Sequence, residues 1–303
     1  MNLLQLGKLT EQEARKEIER IRWPEGAVCP HCGCTGKAYE LNGTATRKGV
    51  WKCGDCRKQF TVSVGTVMHR SHLTMKQWLI TFHLMCSSKK GISALQLQRE
   101  LGLGSYKSAL FLTHRIRLAM TEDPLMSKLG GKVEVDETYI GGKPRRGNKD
   151  EVKRGRGTSK VPVMVMVERD GKAYSRPVDR VNGETLKDAI REMVDKKSTI
   201  YTDEWPSYQG IGKEFDGGHE VVNHSAGEFA RGEANTNTAE SYIALLKRGV
   251  TGIFHHVSKQ HLHRYCNEFS FRWSNRSVDD SARTKNAIKG AERKRLIYKI
   301  KAV

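Results

Sequence analysis

The spacing of apolar positions changes character along the chain. Thr10 followed by Glu13 forms a capping box that opens a short charged helix, and Pro24 stops it. From there to about Phe60 the segment is rich in Gly and Cys and has little helical period. Between Thr74 and Met120 the pattern turns helical. TMKQWLITFHLMC is one amphipathic stretch, ISALQLQRELG a second with Ser93 as N-cap and Gly102 as stop, and SYKSALFLTHRIRLAM a third. After Pro124, KVEVDETYI alternates as a strand does, and VPVMVMVERDGKAYSRPVDRV reads as two strands around Asp170-Gly171. GETLKDAIREMVDKK predicts a helix, STIYTDEW and GHEVVNHS short strands, TNTAESYIALLKRG a helix ending at Gly249, and SKQHLHRYCNEFSFRWSNR a final long helix. These elements predict an α/β domain, a mixed sheet with flanking helices. No internal repeat is visible.

A length of 303 residues suggests about two domains with room for a small third module. Lys and Arg number 53 against 34 Asp and Glu, a formal charge of +19. With a pI of 9.7, this excess favours a polyanionic partner, nucleic acid or an anionic membrane. Mean hydropathy is −0.60, and no run approaches the ~18 apolar residues of a membrane span. The N-terminus has no apolar h-region or small-residue cleavage site, so neither secretion nor a membrane partner is expected. Between the first two strands after Pro124, Lys143 to Lys160 carries eight basic and two acidic residues. That run, with Arg145 and Arg146, is either a solvated loop or a DNA clamp.

Five of the seven cysteines fall between Cys29 and Cys56, a distribution that suits a metal site in a reducing compartment better than a disulfide framework. Cys29-Pro-His-Cys32 and Cys53-Gly-Asp-Cys56 are two knuckles with 20 residues between them. Two thiolates on each tight turn can close a tetrahedral Zn²⁺ shell, and a shell of four protein ligands is structural. With few apolar side chains nearby, the metal is expected to hold this segment's fold. His31 and Cys34 are competing ligands. Tyr39, Arg47, Lys48, Trp51 and Lys52, lying between the knuckles, suit a nucleic-acid surface or the solvated face of a ribbon.

The two helices joined by LGLGS have the length and turn composition of a helix-turn-helix. In the second, Tyr106, Ala109, Leu110, Thr113 and Ile116 recur on an inward face, which places Lys107, Ser108, His114 and Arg115 near the exposed side. Ser105, Lys107 and Ser108 at a helix N-terminus can dock on phosphate.

Among the carboxylates, Asp136 shares a strand face with Glu134 and Thr138, Asp203 ends a strand, and Glu240 lies on a helix. On that helix Ala239, Tyr242, Ile243 and Leu246 form the inward stripe, with Glu240 and Lys247 on an adjacent face about 10 Å apart along the axis. Phosphoryl transfer uses two hard divalent cations held by carboxylate oxygens, and two strand-end aspartates with a helical glutamate can supply that cage. On spacing alone Glu134, Glu137 and Glu204 fit nearly as well. His224, His255 and His256 could assist there, and Trp205 could stack on a base or pack.

The strings CPHCG, CGDCRKQF, VEVDETYIGGK, YTDEWPSY, NTNTAESYIALLKRG and HHVSKQHLHRYCNEFSFRWSNR, spread over residues 10 to 276, resemble a bacterial insertion-sequence transposase of the DDE superfamily. The group in question joins a zinc ribbon to an RNase-H-like catalytic domain. The resemblance implies Asp136, Asp203 and Glu240 as the catalytic acids and holders of two Mg²⁺ (or Mn²⁺). Glu240 is preferred over the nearby Asn235 and Asn237 for its charge and its seven-residue step to Lys247. Lys247, beside Arg248, takes the place of a DNA-contacting cation. The expected organisation is an N-terminal helix and zinc ribbon over 1–66, a helix-turn-helix over 67–123, an RNase-H-like domain over 124–276 and a basic tail over 277–303. The expected activity is cleavage at terminal inverted repeats and strand transfer into target DNA, by a homo-oligomer on double-stranded DNA in the bacterial cytoplasm, nucleoid-associated. A zinc-dependent DNA-binding regulator without catalysis is the alternative, and a structure-selective nuclease a third reading.

Overall fold

A computed structural model describes residues 1–122, 128–142, 158–222 and 235–297. Arg145, Arg146 and His224, and most of the basic run, lie outside the described residues. The chain forms two compact units, Met1–Met120 with Val278–Val303, and Thr121–Ser277.

The first unit starts with two short helices, α1 (Leu3–Lys8) and α2 (Glu11–Arg22), the latter opened by the Thr10–Glu13 capping box. A three-stranded antiparallel ribbon follows: β1 (Ala38–Glu40), β2 (Trp51–Cys53) and β3 (Gln59–Phe60). Trp23, at the end of α2, meets the rings of Trp51 and Phe60 edge-on at 5.9 and 5.8 Å. Trp51 Nε1 also donates to Glu19 at 3.3 Å. Trp51 therefore packs the ribbon against α2, whereas Tyr39 stays exposed.

Three helices come next, α3 (Met75–Ser87), α4 (Ala94–Glu100) and α5 (Tyr106–Ala119), capped by Thr74, Ser93 and Ser105. Glu11 of α2 accepts the Met75 and Lys76 N–H groups, so one helix caps the next. Gly102, at φ +62°, ends α4. Residues beyond 277, read as a basic tail, hold a further helix, α9 (Asp280–Lys289), packed on α2, α3 and α5. Asp279 caps it, and Thr284, Ala287 and Ile288 are buried. The chain then passes so close to α5 that a Cβ on Gly290 would lie 2.3 Å from the Ala119 carbonyl oxygen.

The second unit is a five-stranded mixed sheet in the order β6-β5-β4-β7-β8, the RNase-H-like arrangement. Its strands are β4 (Lys132–Ile140), β5 (Val161–Glu168), β6 (Ala173–Pro177), β7 (Thr199–Asp203) and β8 (His219–Val222). The first three are antiparallel, while β7 and β8 run parallel to β4. Alternation along β4 and β5 sends Val133, Val135, Met164 and Met166 to one face, where α6 (Gly183–Met193) covers them with Leu186, Ala189, Ile190 and Met193. Val163, Val165 and Val167 point to the other face, under α7 (Asn237–Gly249) and α8 (Leu262–Ser274). Between β7 and β8 stand two 3₁₀ turns, Pro206–Tyr208 and Ile211–Glu214. Pro206, Gly210 and Gly212 keep this short segment from an α-helical hydrogen-bond ladder. The predicted last helix also divides into a 3₁₀ turn, Lys259–His261, and α8. No helix among the described residues is long and apolar enough to cross a membrane.

Candidate functional site

In the ribbon, the Sγ atoms of Cys29, Cys32, Cys53 and Cys56 all lie within 4.8 Å of one another. The pairs Cys29–Cys56 and Cys32–Cys53 are each 3.6 Å apart, and all four are free thiols. A tetrahedron with Zn–S arms of about 2.3 Å has edges of about 3.8 Å, so this donor set fits zinc and leaves no vertex for substrate. Tight turns make the cluster. Gly33, at φ +76°, donates to the Cys29 carbonyl at 2.9 Å, and a Cβ on Gly54 would lie 2.8 Å from the Lys37 carbonyl oxygen. The backbone N–H of Cys56, then that of Asp55, lowers the Cys53 thiol to about 7 against the opposing effect of burial. His31 and Cys34 are outside the cluster. His31 faces the Gln59 carbonyl at 3.4 Å, and Cys34 lies beside Asp55.

In the second unit Asp136 and Asp203 are on adjacent parallel strands. The register pairs Glu134 with Tyr201, so the aspartates stand two residues further along on the same face. That face is the one α7 covers, and Glu240 is exposed in the first turn of α7. Burial pushes the Asp136 carboxyl up to about 7; the Glu137 N–H at 2.7 Å opposes the rise, and the charges of Glu137, Asp203 and Glu240 add to it. The three acids thus share one electrostatic environment. As a set they do not close to 4.8 Å; among the described residues the cysteines alone do so.

Neighbouring groups hold the acids in place. Trp205 N–H donates to Asp203 at 3.2 Å, and the Tyr208 hydroxyl donates to Glu137 at 2.7 Å on the α6 face. The Thr138 hydroxyl, one pleat beyond Asp136 on its own face, is buried without a hydrogen-bond partner among the described residues. Hard carboxylate oxygens, mutual repulsion and a spare buried hydroxyl fit divalent cations with bound water. Glu134 is engaged elsewhere. Its oxygens already accept from Arg169 and from the Thr238 and Ala239 N–H groups. Sequence reading placed Glu134 on the right face but missed Arg169, whose only signal was its place in the turn ERDGK.

Lys247 and Arg248 are exposed in the last turn of α7. A π-helical turn, Val250–Phe254, follows, and the exposed His255 sits at φ +57° with Nδ1 3.1 Å from the Thr251 carbonyl. His256 is exposed as well. Trp205 packs against the α6-side core.

At the start of α5, Lys107 and Ser108 are exposed, but the expected face is rotated. Tyr106 is exposed, and His114 and Arg115 are buried. Arg115 lies over the Trp78 and Phe111 rings at 5.0 and 5.4 Å and donates to the His69 carbonyl. Burial, then Arg295, lowers it to about 10. Assigning Arg115 to a DNA surface is therefore corrected. Packing around α5 on more than one side captures a residue that a two-sided helix would expose.

Fold and sites define an RNase-H-like protein with a zinc ribbon. Residues 128–274 match the ISXO2-like transposase domain, and residues 9–59 match the transposase zinc-ribbon domain. A protein of transposable element ISH50 from Halobacterium salinarum is 26% identical over 275 residues, 87% of this chain and 91% of its own. The chain belongs to the insertion-sequence transposases of the DDE superfamily that carry a zinc ribbon. Two solved Mos1 transposase structures are more distant, each 13% identical. The paired-end complex with the left transposon end matches over 70% of this chain and 74% of its own at a TM-score of 0.30. The strand transfer complex matches over 71% and 75% at 0.32. Likeness at that level is too slight to inform the site.

Proposed function

We propose that this chain binds the terminal inverted repeats of its mobile element, cleaves there with divalent metal and joins the freed end to target DNA. The observation that carries the reading is the placement of Asp136 and Asp203 side by side beneath α7, with Glu240 near enough to raise Asp136. These three side chains hold the cations, Mg²⁺ or Mn²⁺, two per site. When bound, such ions activate the attacking oxygen and stabilise the leaving one. Cleavage and joining are both in-line displacements at phosphorus, so one carboxylate set serves both.

Lys247 and Arg248 contact the phosphates next to the reacting one, and Lys107 and Ser108 dock the start of α5 on the end sequence. The ribbon zinc organises the first unit. Arg145 and Arg146 belong to the same basic surface by sequence. Pairing two ends calls for more than one copy of the chain on DNA. The working compartment is the cytoplasm, at the nucleoid.

The test is a nicking assay on a duplex carrying the element's end. Wild-type protein should nick with Mg²⁺ or Mn²⁺. Asp203→Asn should lower the rate at least about a thousandfold, roughly 4 kcal/mol of transition-state stabilisation, and retain DNA affinity. Wild-type protein that binds ends but never nicks them would make the chain a regulator; nicking without joining would make it a nuclease.

A further inference from the structure

The acid site stands one pleat above a buried ion pair. Glu134 has no exposed surface and lies on β4 two residues before Asp136. Its Oε1 accepts from Arg169 Nε at 2.6 Å, and its Oε2 accepts from the backbone N–H groups of Thr238 and Ala239 at 2.7 and 2.9 Å. Those are first-turn amides of α7, and the Thr236 side chain at the N-cap position makes no capping bond. A helix start of this kind leaves amides without intrahelical partners and carries partial positive charge, so a carboxylate from β4 is both cap and counter-charge. Glu240 is the next residue after Ala239, and its own N–H makes the first helical bond, to Thr236.

Arg169 extends the arrangement. Its Nη2 donates to the Asn235 carbonyl at 2.8 Å, which pins the chain just before α7. Its guanidinium lies 4.2 Å from the centre of the Tyr201 ring, on β7 two residues before Asp203. One buried pair thus touches all three elements that carry the acids, close in sequence to each: Glu134 before Asp136, Tyr201 before Asp203, Ala239 before Glu240. Neutral groups could pack this core without the desolvation cost of two charges. What they could not do is satisfy two amides, one guanidinium and a carbonyl together, and so hold α7 at one height over the sheet.

We propose that Glu134 and Arg169 are positioning residues for the acid site: they set where Glu240 stands relative to Asp136 and Asp203, and hence the site's affinity for divalent cations. The inference rests on the metal-binding role proposed above for these three acids. Glu134→Gln is the sharp variant, because its amide keeps one acceptor for the helix and turns donors toward Arg169.

The experiment uses the full-length, zinc-loaded protein and Mn²⁺ as probe, counting only the Mn²⁺ binding that Asp136→Asn removes. Glu134→Gln should weaken that binding about tenfold or more, the usual effect of losing a group that orients a metal ligand. Hydrogen exchange at the Thr238 and Ala239 amides should speed up. Leu186→Ala, in the core across the sheet, is the control for general destabilisation; it should hold Mn²⁺ within about twofold of wild type. Mn²⁺ affinity in Glu134→Gln no weaker than in Leu186→Ala overturns the proposal, as does unchanged exchange at the two amides. Should Glu134→Gln fail to fold, Arg169→Lys decides: it keeps the charge, loses the reach to Asn235 and should weaken Mn²⁺ about threefold, and an unchanged affinity overturns the proposal. Wild-type protein that takes up Mn²⁺ yet never nicks ends defeats the proposed function and leaves the positioning role standing. Wild-type protein without the Asp136-dependent uptake defeats the metal reading, and amide exchange still reports whether Glu134 holds α7.

Discussion

The two candidate metal sites solve opposite problems. In the ribbon, four soft thiols converge from two short knuckles, with Sγ pairs already at 3.6 Å, near the spacing zinc needs. In the RNase-H-like unit, three hard acids arrive from two strands and a helix, stay further apart, and leave Asp136 pushed up to about 7. A closed set of ligands serves stability, because every vertex is a protein atom. An open set of repelling carboxylates suits chemistry, because it leaves room for cations and a phosphate. The difference teaches that ligand number and closure, more than the presence of metal-binding residues, separate a structural site from a reactive one.

The strongest way to break this contrast is Cys53→Ser. If the ribbon site is structural, zinc content should fall and the first unit should lose cooperative folding, since structural zinc contributes about 10–16 kcal/mol to such modules. Elemental analysis and the fluorescence of Trp23 and Trp51 report both. Full zinc occupancy in the variant would end the assignment.

A smaller effect tests the proposed reactive site. The folded value of Asp136, about 7, lies above the about 3.9 of an unfolded aspartate, so the folded state binds the extra proton between these values. Stability of the protein without divalent cations should therefore fall as pH rises through that window and level off above it. Asp136→Asn should remove the slope and be more stable than wild type at about pH 8 by about 1–3 kcal/mol. Denaturation across the pH range checks this, and a slope that survives the substitution would count against it.

Arg115→Met should cost the first unit about 1–3 kcal/mol through the lost hydrogen bond and ring contacts, without altering the salt dependence of DNA binding. Denaturant titration and binding at several salt concentrations separate the two. Lys247→Ala should do the reverse, with stability unchanged within about 0.5 kcal/mol and a salt slope smaller by about one.

Particular residues show how far sequence reading reaches. Thr10 and Ser93 cap helices through their own local bonds, and the cysteine knuckles are visible because each is a four-residue turn. Asp136, Asp203 and Glu240 were picked out by resemblance, and spacing alone left Glu134, Glu137 and Glu204 as rivals. Hydrogen bonds set Glu134 apart from the others, since its oxygens accept from Arg169 and α7. The outward Arg115 and the tail beyond 277 each misread a long-range effect. A helix wheel assumes one buried side, and a charge count cannot foresee that α9 returns to pack on α2, α3 and α5.

By itself, the amino-acid order determined whatever depends on neighbours a few positions apart: caps, strand alternation, two zinc knuckles and a strongly basic surface. Tertiary structure alone decided which carboxylates meet, which arginine is interior and where Glu240 stands above the sheet. Short-range steric and hydrogen-bond preferences act within one turn or pleat, whereas the partners of Glu134 are 35 residues away at Arg169 and more than a hundred away at Thr238. Contacts of that range exist only after the chain has closed its loops, and no local pattern encodes them.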